Sequence, residues 1–116
     1  MNTQVLPVND KSIALAAELL QKGELVALPT ETVYGSAADA RNGEAVKKIF
    51  GAKGRPQDNP LIVHIYGMEM LKGIVSEVPD RAYKLAKAFW PGPLTMVMPR
   101  GGEVSDVTCA GLDTVG

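Results

Sequence analysis

An α/β layered fold is what this sequence predicts, on three observations. Apolar residues recur at helical spacing in three stretches. Short runs of apolar, often β-branched residues stand between them. Glycine or proline marks several of the boundaries. Strands alternating with helices argue for helices layered on a sheet.

The elements follow in order. Residues 3–8 (TQVLPV) read as a short strand. Residues 10–22 read as a helix, because Ile13, Ala16, Ala17 and Leu20 fall at i, i+3, i+4 and i+7. Asn9 or Asp10 suits its N-cap, and Gly23 suits its end. Residues 24–28 (ELVAL) read as a buried strand that Pro29 stops. Residues 44–52 give a second helix, with Val46, Ile49 and Phe50 on one face. Residues 61–66 (LIVHIY) form the clearest strand. Alternation sets Leu61, Val63 and Ile65 on one face and Ile62, His64 and Tyr66 on the other. Pro79 fits the first turn of a third helix, whose stripe is Ala82, Leu85, Ala86 and Phe89. Residues 94–98 (LTMVM) read as a strand, and Thr114-Val115-Gly116 as the start of another. With no capping helix or polar tail after it, a chain truncated at its C-terminus is expected.

Composition narrows the function. The chain has 116 residues, 46% hydrophobic and 22% charged, with a net charge of −1. This suits one ordinary globular domain over residues 1–116, and no repeat, low-complexity stretch or linker divides it. The balance excludes a protein that coats nucleic acid by bulk positive charge. The single Cys109 excludes a disulfide framework and a cysteine zinc site, and it suits a small buried residue better than a reactive thiol. No run approaches the roughly 20 apolar residues of a membrane span, and no signal-peptide layout opens the chain. A cytoplasmic protein without a membrane partner is expected. Carboxylates in metal-ligand spacing are not visible, so no metal site is read from the residues.

Four stretches could carry chemistry. Pro29-Thr30-Glu31-Thr32-Val33-Tyr34-Gly35 follows a strand, where open α/β sheets bind ligands. Its hydroxyls suit a small polar ligand, or a turn satisfied by its own backbone. Between positions 41 and 57 stand Arg41, Lys47, Lys48, Lys53 and Arg55 against one acid, Glu44, a local +4 that leaves −5 elsewhere. Lys53 and Arg55 suit a polyphosphate, the first as a point charge and the second as a bidentate fork. A solvated helix end explains the same charges. No P-loop or dinucleotide fingerprint occurs. Gly51-Ala52-Lys53-Gly54 matches the short G-x-x-G of RNA-clamping modules, a weak signal. His64 is the only histidine, and a lone strand histidine is more often structural than catalytic. Phe89-Trp90-Pro91-Gly92-Pro93-Leu94-Thr95 pairs core aromatics with a sharp turn, and a base-stacking platform is the lesser reading.

Taken together these residues resemble a known family. The stretch Pro29–Gly35 is followed by Lys53-Gly54-Arg55-Pro56 with Asn59-Pro60-Leu61-Ile62-Val63-His64-Ile65. Then come Trp90-Pro91-Gly92-Pro93-Leu94-Thr95 and Ala110-Gly111-Leu112-Asp113-Thr114-Val115. In that order they resemble the N-terminal part of the YrdC-like threonylcarbamoyl-AMP synthases, from about residue 10 to the last residue. Four motifs in one order are specific where each alone is not. The resemblance implies a twisted, open mixed sheet with helices packed on it around a large, positively charged cavity. It implies synthesis of threonylcarbamoyl-adenylate and pyrophosphate from ATP, L-threonine and bicarbonate, with Mg²⁺ assisting. A separate transferase complex would then modify tRNA beside the anticodon, with direct tRNA contact by this chain left open. Thr32 and His64 fall on threonine-binding positions, and Thr30 and Tyr34 line the same pocket. Arg55, Asn59 and Thr114 fall on ATP-contacting positions. Lys53 shares the Lys-x-Arg element near the phosphates, so Lys53 and Arg55 are the candidate catalytic pair.

Two departures qualify the resemblance. Gly35-Ser36-Ala37 stands where the family usually reads Gly-Leu-Gly, which loses apolar packing and backbone freedom. A threonine-contacting arginine and a Ser-x-Asn element are expected after Gly116, so the 116-residue chain alone is expected to be inactive or nearly so. The alternatives are an RNA-binding YrdC-like paralogue without synthase activity, and a carbamoyl-transferring relative within hydrogenase-maturation proteins. The latter carries extra N-terminal segments, whereas here the first motif begins by residue 30.

Overall fold

A computed structural model describes residues 2–54, 56 and 59–116. Three helices and two antiparallel strand pairs make up the regular structure of the described residues. They are α1 (Asp10–Gln21), β1 (Val26–Leu28), β2 (Gly35–Ala37), α2 (Gly43–Lys53), α3 (Asp80–Phe89), β3 (Met98–Pro99) and β4 (Thr114–Val115). A 3₁₀ turn covers Met68–Leu71. Among the described residues no helix is long and apolar enough to cross a membrane.

The helices start and stop where local chemistry dictates. Asn9 caps α1 by accepting from Ser12 N, and the Ser12 side chain returns the contact to the Asn9 backbone, a reciprocal capping box. Gly23 follows with φ +83°, the left-handed exit that an L side chain resists. The stripe on α1 is rotated from its predicted place: Leu15, Ala16, Leu19 and Leu20 are half-buried, whereas Ile13 and Ala17 are exposed. In α2, the Asn42 side chain accepts from Ala45 N, and Gly54 ends the helix in the left-handed region. Its inner face is Ala45, Val46, Ile49 and Phe50, all buried. Pro79 is the N-cap of α3, one position outside the helix, and Asp80 supplies the favourable charge in the first turn. Ala82 and Ala86 are buried, while Leu85 and Phe89 are exposed.

The strands depart further from expectation. Residues 3–8 form no strand and are exposed. Residues 24–28 keep only β1, and Ala27 and Leu28 are exposed rather than buried. β1 pairs with β2 in register Val26↔Ala37, Ala27↔Ser36 and Leu28↔Gly35. β3 keeps one residue of the predicted 94–98, Met98, extends to Pro99, and pairs with β4 through Met98↔Val115 and Pro99↔Thr114. Residues 61–66 are not a regular strand, yet their burial alternates as the sequence predicts, with Leu61, Val63 and Ile65 turned inward. Val63 N donates to Gly116 O at 2.9 Å and Leu61 N to Thr108 O at 2.9 Å, so the segment lies beside β4.

The main core gathers Leu71, Ile74, Val75, Ala82, Met98, Val104, Cys109 and Val115. Val63, Ile65, Trp90 and Met96 pack against it. Thr108 ties this core to the α2 end of the molecule. Its hydroxyl donates to Ala40 O at 2.9 Å and lies 2.7 Å from Ser105 Oγ. Arg100 donates to Val104 O at 2.9 Å and pairs with Asp106 at 2.5 Å, closing the same loop.

Candidate functional site

The loop between β1 and β2 holds itself by hydrogen bonds to one side chain. Thr30 Oγ1 accepts from Val33 N at 3.2 Å and from Thr32 N at 3.3 Å, and it donates to Val33 O. Such local bonds are what threonine offers in place of regular structure. Thr32 Oγ1 stands 3.4 Å from Thr30 Oγ1. Thr32 and Tyr34 are exposed.

Beside this loop lies a cavity of about 670 Å³. His64, Glu31, Tyr66, Trp90, Thr95 and Lys87 contribute to its wall, and most of the rest is apolar. His64 reaches it from the outward face of the 61–66 segment, and its Nδ1 lies 3.3 Å from Ile62 O. Alternation sets Thr114 on the face opposite buried Val115, as it sets His64 opposite Val63. The Trp90-Pro91-Gly92-Pro93 turn closes one side. Trp90 Nε1 donates to Leu94 O at 2.9 Å, which fixes the orientation of the indole in the wall. Gly92 is required there, because a Cβ would lie 2.6 Å from Phe89 O.

Of the residues expected in the site, His64 lines the cavity directly. Thr30, Thr32 and Tyr34 belong to the loop that brings Glu31 to the wall. Glu31 is the residue that sequence reasoning passes over, although it stands between the two threonines of the motif. Lys87, in the last turn of α3, gives no signal in the sequence.

The basic stretch divides in two. Arg41 pairs with Asp39 at 3.3 Å and Lys47 with Glu44 at 3.2 Å. Lys48 donates to Gly23 O at 2.9 Å and lies 3.5 Å from Glu24. These three charges are engaged locally. Lys53 is exposed at the end of α2, and Asn59 is exposed beyond it. Arg55 lies outside the described residues. The G-x-x-G reading fails on geometry, since Gly51, Ala52 and Lys53 are helical and form no clamping loop. The positive charge expected around the cavity is not seen on its described wall, which carries one lysine, Lys87, and one carboxylate, Glu31. Among the described residues no group of three His, Cys, Asp or Glu could hold a metal ion.

Comparison with known proteins bears on this site. The family described as telomere recombination, Sua5–YciO–YrdC, matches residues 18–116. A threonylcarbamoyl-AMP synthase of Pyrococcus abyssi is 53% identical over 93% of this chain and 32% of that protein. One of Bacillus subtilis is 52% identical over 97% of this chain and 33% of that protein. The chain thus spans about a third of the length of these relatives. A crystal structure of P. abyssi Sua5 complexed with L-threonine superposes with a TM-score of 0.88 over 95% of this chain and 32% of that one, at 52% identity. With the family's motifs in order and its fold reproduced, the chain belongs to the Sua5–YciO–YrdC family.

Proposed function

We propose that this chain supplies the threonine-holding wall and the first phosphate-binding element of a threonylcarbamoyl-AMP synthase. The observation that carries the proposal is the His64-lined cavity beside the Thr30-Glu31-Thr32 loop, in a chain similar to a Sua5 complexed with L-threonine. In this reading L-threonine meets Thr32 and His64, with Tyr34 at the rim. ATP meets Lys53, Arg55, Asn59 and Thr114. The threonine amine nitrogen attacks the carbon of bicarbonate and one carbon–oxygen bond breaks, so that a carbamate forms and water leaves. A carbamate oxygen then attacks the α-phosphorus, and the bond to the bridging oxygen breaks as pyrophosphate leaves.

No enzyme nucleophile is needed. The protein's work is to hold the two reactants in line and to offset charge developing on the phosphate. Losing Lys53 or Arg55 would cost ~10²–10³ in rate, by the measure of a lost oxyanion donor. The described residues offer no donor set for Mg²⁺, so no step is assigned to the ion; it fits only as a companion of the nucleotide's phosphate oxygens. The product would pass to a tRNA-modifying transferase complex in the cytoplasm.

Titration of L-threonine into the chain, followed by the ring resonances of His64, tests the reading. A saturable shift with L-threonine, lost in Thr32→Ala, is expected. No shift at millimolar L-threonine would sink the assignment. Pyrophosphate release by the 116-residue chain alone is expected near background.

A further inference from the structure

Thr30 sits within the motif as if it were one more hydroxyl for the ligand, but its bonds are already committed. A hydroxyl has one proton and two lone pairs. The proton of Thr30 goes to Val33 O, and the lone pairs receive the N–H groups of Thr32 and Val33. Its methyl covers the start of β2, where a Cβ on Gly35 would lie 3.5 Å from Thr30 Cγ2. Thr32 differs: among the described residues its hydroxyl has only the 3.4 Å neighbour Thr30 Oγ1, which has no capacity left to offer.

We propose that Thr30 is a positioning residue, which locks the 30–33 turn so that Glu31 stands on the cavity wall and the Thr32 hydroxyl stays available to a ligand. The lock itself stands on geometry alone. Its service to threonine rests on the function proposed above.

The two halves separate in experiment. Solvent exchange of the Thr32 and Val33 amides is measured by NMR without ligand, in the wild-type chain and in Thr30→Val, Thr30→Ser and Thr32→Ala. Thr30→Val keeps the shape and removes the hydroxyl. It should speed exchange at both amides on the order of fivefold, as expected for losing about one net hydrogen bond. Thr30→Ser should restore slow exchange, and Thr32→Ala should leave Val33 slow. Unchanged exchange in Thr30→Val overturns the lock.

L-Threonine titrations of the same variants read the second half. Thr30→Val should weaken binding on the order of fivefold and Thr30→Ser should recover it. Faster exchange with unaltered affinity overturns the positioning role. A wild-type chain that binds no threonine overturns the underlying functional reading, and it does so separately, because the exchange rates still report on the lock.

Discussion

Thr108 and Cys109 stand side by side in the core, and they are buried for different reasons. Thr108 carries a polar atom into the interior and satisfies it on Ala40 O and Ser105 Oγ, the condition under which burial is tolerated. Cys109 has only a thiol to bury, and burial pushes that thiol above its ordinary range, with Arg100 opposing the effect and Asp106 adding to it. A raised value means that the neutral thiol is favoured in the folded state. Its contribution to stability is therefore whole below the ordinary thiol range, near pH ~8.5, and is lost as pH rises through the raised value. Denaturation midpoints of wild type and Cys109→Ala should run parallel from about pH 6 to about 8 and converge above it. Parallel curves up to about pH 10 would show that burial does not hold the proton.

At the scale of elements, the end of α2 is the exposed joint between the basic helix and the Lys-x-Arg stretch. Gly54 adopts φ +67° and a Cβ there would meet nothing within 4 Å. The penalty for Gly54→Ala is therefore conformational alone, about 1 kcal/mol. A lower denaturant midpoint at unchanged slope is expected, with Gly54→Asn falling between that variant and wild type. Equal midpoints for wild type and Gly54→Ala would mean that the helix end is not held in that conformation.

The same scale shows what the sequence could disclose. Both ends of α1 are readable because caps are local: Asn9 and Gly23 act on their own neighbours. The inward alternation of Leu61, Val63 and Ile65 is readable for the same reason. Whether that segment forms a ladder depends on Thr108 and Gly116, far away in the chain, and the amides of Leu61 and Val63 alone are seen to find those carbonyls among the described residues. β2 escapes a sequence reading because Gly35-Ser36-Ala37 lacks the bulky residues that mark strands, and its pairing with β1 is decided by the loop between them. In the site, the outward face of His64 follows from alternation. Glu31 on the cavity wall does not, because a hydroxyl-locked turn has no period.

For the whole molecule, charge placement decides between an enzyme wall and a nucleic-acid surface. The net charge is −1, and the +4 read between positions 41 and 57 is largely consumed locally. Arg41, Lys47 and Lys48 each face a carboxylate, and Lys48 also holds a backbone carbonyl of the α1–β1 turn. Such pairs leave little counterion release to drive phosphate binding, and exposed pairs add little energy of their own. A binder of RNA phosphates would need a stripe of uncommitted cations, since affinity grows with the number of phosphates neutralised. The described cavity wall does not provide it, since it carries one lysine, Lys87, and one carboxylate, Glu31. Fluorescence anisotropy with a labelled single-stranded RNA should therefore show no binding tighter than roughly 10⁻⁴ M at about 0.15 M salt. A shallow slope of log affinity against log salt, about −1 or less, is expected at low salt, as for one or two contacts. Micromolar affinity with a steep slope would place the RNA-binding paralogue ahead of the synthase wall. It would also mean that the ion pairs of Lys47 and Lys48 open to admit phosphate, a rearrangement that Glu44→Gln with Glu24→Gln would then mimic by freeing both lysines.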